Sequence, residues 1–276
     1  MIKADEYYLN NLKEILENGS WDKDPRPSYK DGTKAHSKFI TQVFEKYDIS
    51  KGEYPITTLR NTAIKTGIKE MFWIYQKQTS SLEVARELGI NWWEEWNVGD
   101  GTIGTRYGET IARYDLMNKL LWGLKKDPFS RRHIIDMYQY TDLEETDGLF
   151  PCAYLTEWSV REKDGRMYID MTLNQRSNDY IMAGYINKIQ YVALMEMVAA
   201  HLGYEVGVFA HKVQNLHIYD RHLDAAREIL DREPLDVQPS ILLKSYKGFY
   251  DYTIKDFEVH NVTGIKKIES ELEIAI

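Results

Sequence analysis

The only cysteine in the chain, Cys152, directly follows Pro151. A lone thiol is commonly a small buried apolar side chain. As a thiolate it is instead a strong nucleophile, a use that calls for a cationic neighbour to lower its pKa. Arg176 stands at the end of the strand pairing back on the one that follows Cys152, which would bring the two close in space. Arg131 and Arg132 follow Asp127-Pro128-Phe129-Ser130. They read either as a solvated loop or as a pair of permanently charged, bidentate donors for a phosphate. The run Gln175-Arg176-Ser177-Asn178-Asp179 is a polar turn or a ligand-binding edge. Asn187 is a helix cap or an amide that both donates to and accepts from a base. His217 and Tyr219 alternate onto one face of an extended segment, as a half-buried strand edge or as a pair reaching a sugar hydroxyl.

These residues need elements to hold them. The apolar spacing of Leu9, Leu12, Ile15 and Leu16 predicts a helix over Ala4–Asn18, with Gly19 as its C-cap. A strand is expected near Phe39–Val43 and a buried helix over Leu59–Tyr75, followed by a Gly-rich loop from Asn97 to Gly108. An amphipathic helix over Asp115–Leu124 stops before Pro128, and Ile134–Tyr138 reads as a strand. The clearest signal is a hairpin, with Cys152–Arg161 and Met167–Gln175 flanking Lys163-Asp164-Gly165. A long apolar helix over Ile186–Leu202 ends at Gly203, then come a strand over Val206–Val213 and a helix over Arg221–Leu230. Alternation over Tyr250–Val262 predicts a closing strand. Strands and helices mixed without regular βαβ alternation indicate an α+β fold, here one domain over residues 1–276 with a mixed sheet.

Composition narrows the function classes. A net charge of −8 argues against a general binder of nucleic acid polymers, which would have to neutralise many phosphates. No apolar run reaches the length of a membrane span, and the charged N-terminus is unlike a secretory signal. One cysteine forms no intrachain disulfide, so a cytoplasmic location is expected.

The segments together resemble the thymidylate synthase family over nearly the whole chain. DPFSRR is similar to its double-Arg phosphate loop, FPC to the segment around its nucleophile, QRSND to its Arg-Ser-x-Asp signature, and LHIYDRH to its His-x-Tyr segment. Upstream, IKEMFW resembles the helix carrying a catalytic Glu, here Glu70, and NWWEEW a Trp-rich segment beside the folate. DGTIGTRYG matches the loop with an active-site Tyr, here Tyr107, and LEIAI a tail that closes over ligands.

The resemblance implies reductive methylation of dUMP to dTMP by 5,10-methylenetetrahydrofolate, with no metal. Cys152 would add to C6 of uracil, with Glu70, Tyr107 and Arg176 as the other catalytic residues. Arg176, Ser177, Asn187, His217, Tyr219 and Lys30 would bind dUMP. Trp93, Asp179 and Ile276 would meet the folate. The resemblance also implies a sheet-mediated homodimer in which Arg131 and Arg132 reach the phosphate held by the neighbouring subunit.

The family's Leu-Gly-x-Pro-Phe-Asn stands here as MAGYIN, with Ala183, Tyr185 and Ile186 changed, and Asn215 lies in a replaced Gly-Gly-Asp stretch. Lys30 stands where an Arg is usual, with Arg26 nearby as a substitute. Changes near the folate side raise a deoxypyrimidine-monophosphate hydroxymethylase as the alternative activity. A non-catalytic nucleotide-binding paralogue is a third. Trp93 and the apolar last residues favour exclusion of water, and hence methylation.

Overall fold

The computed structural model describes residues 1–276. Helix α1 (Lys3–Asn18) buries Ala4, Tyr8, Leu12 and Ile15 at three- and four-residue spacing. It ends at Gly19 as expected, but the glycine is not left-handed (φ −63°, ψ 150°). Glycine is needed there for space, since a Cβ would lie 2.4 Å from the Ile15 carbonyl oxygen.

Strands β1 (Ser20–Trp21) and β2 (Ser37–Asp48) come next, the second much longer than the five residues predicted. The helix expected over Leu59–Tyr75 begins only at Ile64. It runs as α2 (Ile64–Met71) and widens into a π-helical turn over Phe72–Gln76. Such an insertion re-aims the side chains on either side of it and is frequent at functional sites. Glu70 sits in the last turn before it. Gly67 lets α2 approach the later helix closely, because a Cβ there would meet Ile186 at 3.2 Å and Gln190 at 3.3 Å.

Short helices α3 (Leu82–Glu87) and α4 (Gly108–Arg113), then α5 (Leu116–Lys126), lead into β3 (His133–Asp136) and α6 (Tyr140–Glu145). The predicted hairpin is present as β4 (Ala153–Lys163) and β5 (Arg166–Asp179). Its turn residues Asp164 and Gly165 both take positive φ, which matches the right-handed twist of the strands. Helix α7 (Gly184–Leu202) ends at a left-handed Gly203 and crosses over to β6 (Glu205–Tyr219), parallel to β5. The remaining elements are α8 (Leu223–Leu230), β7 (Ser240–Leu243) and β8 (Phe257–His260).

Six strands form one mixed sheet in the order β1-β2-β6-β5-β4-β3, so the fold is α+β. The closing strand expected over Tyr250–Val262 is only four residues long and pairs with β7 in a separate two-stranded sheet. The residues before it are two 3₁₀ turns, Phe249–Asp251 and Ile254–Asp256, the second held by a Thr253/Asp256 capping box. One hydrophobic cluster runs from Ala4 to Phe257, with α7 buried on nearly every side at its centre. No helix is long and apolar enough to cross a membrane.

Candidate active site

The C-terminal ends of β5 and β6, the start of α7 and the end of α2 converge on a cavity of about 490 Å³, within the range of ligand pockets. Cys152 lies in its wall beside Pro151, one residue before β4. Its backbone N–H donates to the Tyr107 hydroxyl (3.1 Å), and Arg176 Nη2 stands 3.5 Å from Sγ. The guanidinium is held by two carbonyls just before the cysteine, with Nε donating to Pro151 (2.9 Å) and Nη2 to Phe150 (2.6 Å). Hairpin pairing therefore brings Cys152 and Arg176 together. Burial nonetheless pushes the thiol pKa up, with the charges of Arg176 and Arg26 opposing it. The lowered pKa that nucleophilic use calls for is not the state of this thiol.

Tyr107 takes φ 47° and ψ −107°, a strained conformation for an aromatic residue. The neighbouring Arg106 holds it there. That buried side chain donates to the carbonyls of Asp142, Leu143 and Thr146, and so ties the Tyr107 loop to the segment leading into Cys152.

Glu70 is 6% exposed and accepts a short hydrogen bond from Trp92 Nε1. Burial raises its pKa to about 7, against hydrogen bonds led by that from Trp92. A carboxyl titrating near neutrality suits proton transfer. Asn187 lies in the first turn of α7 but caps nothing. Its Oδ1 accepts from Gln175 Nε2 (3.0 Å) and its Nδ2 donates to Gln190 Oε1 (2.9 Å).

His217 and Tyr219 share a face of β6 and line the cavity, their rings 5.0 Å apart. Burial lowers the His217 pKa and keeps the ring neutral. Ser177 and Asp179 are also in the wall, and Asp179 accepts the backbone N–H groups of Ile181 and Met182 (3.1 Å each) at the entry to α7. Trp93 packs against Trp73, Trp96 and Tyr107, and its indole N–H is buried without a partner. Ile276 closes one side, exchanging two backbone hydrogen bonds with Ser28 (2.7 and 3.0 Å).

Three expected residues lie elsewhere. Lys30 is outside the wall and pairs with Glu95 (3.2 Å), whereas Arg26 lines the cavity; the Pro-rich loop turns between the two. Arg131 and Arg132 are exposed on the loop between α5 and β3 and do not line the cavity of their own chain. Gln190 and Tyr191 line it without having been singled out, and Gln175 and Trp92 were named only as members of the QRSND and NWWEEW segments. Gln190 was the most accessible to sequence reasoning, since it falls one helical turn beyond Asn187.

The thymidylate synthase family model matches residues 6–274. The chain is 48% identical over 270 residues to a thymidylate synthase of Streptococcus pneumoniae (strain 70585), covering 96% of this chain and 97% of that protein. The same figures hold for a thymidylate synthase of Lactococcus lactis subsp. cremoris (strain SK11). The structure of thermostable thymidylate synthase A from Bacillus subtilis is similar with a TM-score of 0.89 and 32% identity, covering 99% of both chains. A family match over nearly every residue, laid on a cavity that joins a thiol, a guanidinium and a near-neutral carboxyl, leaves one conclusion: the chain belongs to the thymidylate synthase family.

Proposed function

We propose that the chain methylates dUMP to dTMP with 5,10-methylenetetrahydrofolate, and that Cys152 is the nucleophile. The observation that carries this reading is the meeting of Cys152, Arg176, Asn187 and Glu70 around one cavity. Sγ adds to C6 of the uracil ring, making C5 electron-rich, and Arg176 at 3.5 Å neutralises the sulfur as its charge develops. Asn187 accepts from N3–H and donates to O4. Glu70 holds and moves a proton near O4, and Tyr107 assists removal of the C5 proton. His217 and Tyr219 bind the deoxyribose hydroxyl, while Ser177, Arg176 and Arg26 bind the phosphate. Arg131 and Arg132 complete the phosphate site of a partner subunit in a homodimer.

The folate supplies the one-carbon unit and the hydride. Trp93, Asp179 and Ile276 fit its binding, because they line a wall rich in aromatic and apolar side chains. Water is kept out by Ile274–Ile276 and the tryptophans, which favours hydride capture over hydration. A single free thiol at the reaction centre suits a reducing compartment, so the enzyme acts in the cytoplasm.

Incubation with dUMP and methylenetetrahydrofolate tests the activity through the absorbance of dihydrofolate. Release of hydroxymethyl-dUMP and tetrahydrofolate instead would overturn it. With 5-fluoro-dUMP and the folate, the intact chain is expected to gain the mass of a covalent adduct, and the Cys152→Ser chain is expected to gain none.

A further inference from the structure

Around Asn187 three polar side chains are almost fully buried: Gln175 (3% exposed) and Gln190 (2%) in the cavity wall, and His211 (1%) outside it. Their hydrogen bonds allow only one assignment of donors and acceptors. Gln175 Nε2 lies 3.0 Å from the Ser177 backbone carbonyl oxygen. A carbonyl only accepts, so the amide nitrogen faces it and the amide oxygen faces the opposite way. There Oε1 meets His211 Nε2 at 2.8 Å. Two acceptors do not bind each other, so His211 Nε2 carries the proton and its Nδ1, buried with no partner, is a bare lone pair. The second hydrogen on Gln175 Nε2 goes to Asn187 Oδ1 at 3.0 Å, which turns Asn187 Nδ2 toward Gln190 Oε1 at 2.9 Å.

We infer that His211 is a specificity-determining positioning residue: its Nε2–H, acting through the Gln175 amide, fixes which end of the Asn187 amide meets the pyrimidine and so sets uracil against cytosine. The inference rests on Asn187 as the base reader. An Asn free to rotate presents donor and acceptor in either order and accommodates both bases. One held with Oδ1 toward Gln175 offers the uracil pattern alone. His211 touches no substrate. It sits on β6, opposite Glu45 of β2 and Leu173 of β5, with its ring stacked near Phe209. Burial, and then the neighbouring Lys188 charge, push its pKa well below the ordinary value, so the ring stays neutral and supplies one donor only.

Without that donor, Gln175 Oε1 would be a buried acceptor with no partner, a cost that favours conformers in which the side chain leaves this place and gives up its bonds to Ser177 and Asn187. Asn187 would then lose the shorter of the two bonds to its Oδ1, keeping the one from Asn178 Nδ2 at 3.3 Å and its own bond to Gln190.

The test compares His211→Phe, which keeps a flat ring and removes the donor, with His211→Gln, which keeps an N–H at similar reach. Competition binding gives the dUMP-over-dCMP affinity ratio. His211→Phe is expected to lower the ratio by about tenfold, one buried hydrogen bond's worth, and His211→Gln to hold it within about threefold. Asn187→Asp serves as the control and is expected to shift the ratio toward dCMP. If it leaves the ratio unchanged, Asn187 is not the base reader and the underlying reading falls. If it shifts the ratio while folded His211→Phe does not, the relay alone falls. An equal loss in His211→Gln and His211→Phe also overturns the relay. Nitrogen-15 NMR of the unmodified protein decides independently, even if His211→Phe fails to fold: a Nδ1–H tautomer at His211 would overturn the assignment, and the Nε2–H tautomer supports it.

Discussion

Burial moves Cys152 and Glu70 the same way, toward their protonated forms, and this sets how each responds to pH. For Cys152 the opposing charge of Arg176 is the first to be lost on mutation. Arg176→Ala is therefore expected to raise the thiol pKa further and to slow iodoacetamide alkylation at pH 8 by about tenfold, a shift of one pKa unit, with the rate climbing as pH rises. A rate unchanged by the substitution would remove Arg176 as the stabiliser of the anion. For Glu70 the folded pKa of about 7 lies above the ordinary value of 4.5. Between those two values the folded chain keeps a proton that the unfolded chain releases, so stability falls as pH rises through the window and the loss is complete above it. Glu70→Gln removes that cost. Urea unfolding should show it more stable than the parent by about 3 kcal/mol at pH 8, and nearly equal to it at pH 4, while turnover falls by at least about a hundredfold. Equal effects at the two pH values would mean that Glu70 is not held protonated by burial.

Elements were legible where a local signal decided them. The Asp164-Gly165 turn fixed the β4–β5 hairpin, and with it the meeting of Cys152 and Arg176, because Cys152 directly precedes β4 and Arg176 lies near the end of β5. Gly203 marked the end of α7. The stretch before β8 was not legible, since the alternation over Tyr250–Val262 also fits two 3₁₀ turns that pack Phe249 and Tyr252 inward. The π-helical turn after Glu70 leaves no mark in the apolar pattern, and His211 reads as one polar residue in a strand until its long-range partner Gln175 is known. Lys30 and Arg26 are four residues apart in a loop, and only the path of that loop chooses between them. The same loop anchors the last segment through the paired backbone bonds of Ser28 and Ile276. Removing residues 274–276 takes away those bonds and one wall of the cavity. The expected result is a fall in kcat of about a hundredfold or more with the dUMP dissociation constant within about threefold, measured by turnover and equilibrium titration. A comparable loss of dUMP affinity would make the segment part of the nucleotide site instead of its seal.

At the scale of the whole molecule, the large sheet is covered unevenly. Its inner face carries Glu45, His211 and Leu173 against the core, whereas the alternate residues Phe44, Lys46, Ile134, Glu157 and Lys212 are exposed, Phe44 at 56% and Ile134 at 48%. An open sheet face with large apolar side chains suits pairing with a second copy about a two-fold axis, which presents the same patch from both sides. Arg131 and Arg132 enter β3 at one edge of this sheet, exposed and away from their own cavity. In the proposed homodimer they reach the other subunit's nucleotide, an arrangement with a consequence that a site built from one chain does not share. Chains carrying Arg131→Ala and Arg132→Ala, and chains carrying Cys152→Ser, are each expected to be inactive as homodimers. Unfolded together in equal amounts and refolded, half of the dimers are mixed, and each mixed dimer has one site with an intact thiol facing an intact arginine pair. Activity should therefore return to about a quarter of the parent level, read by dihydrofolate absorbance. No recovery from well-folded mixtures would mean that the arginines serve their own chain, and full activity of the arginine variant alone would mean that they serve neither.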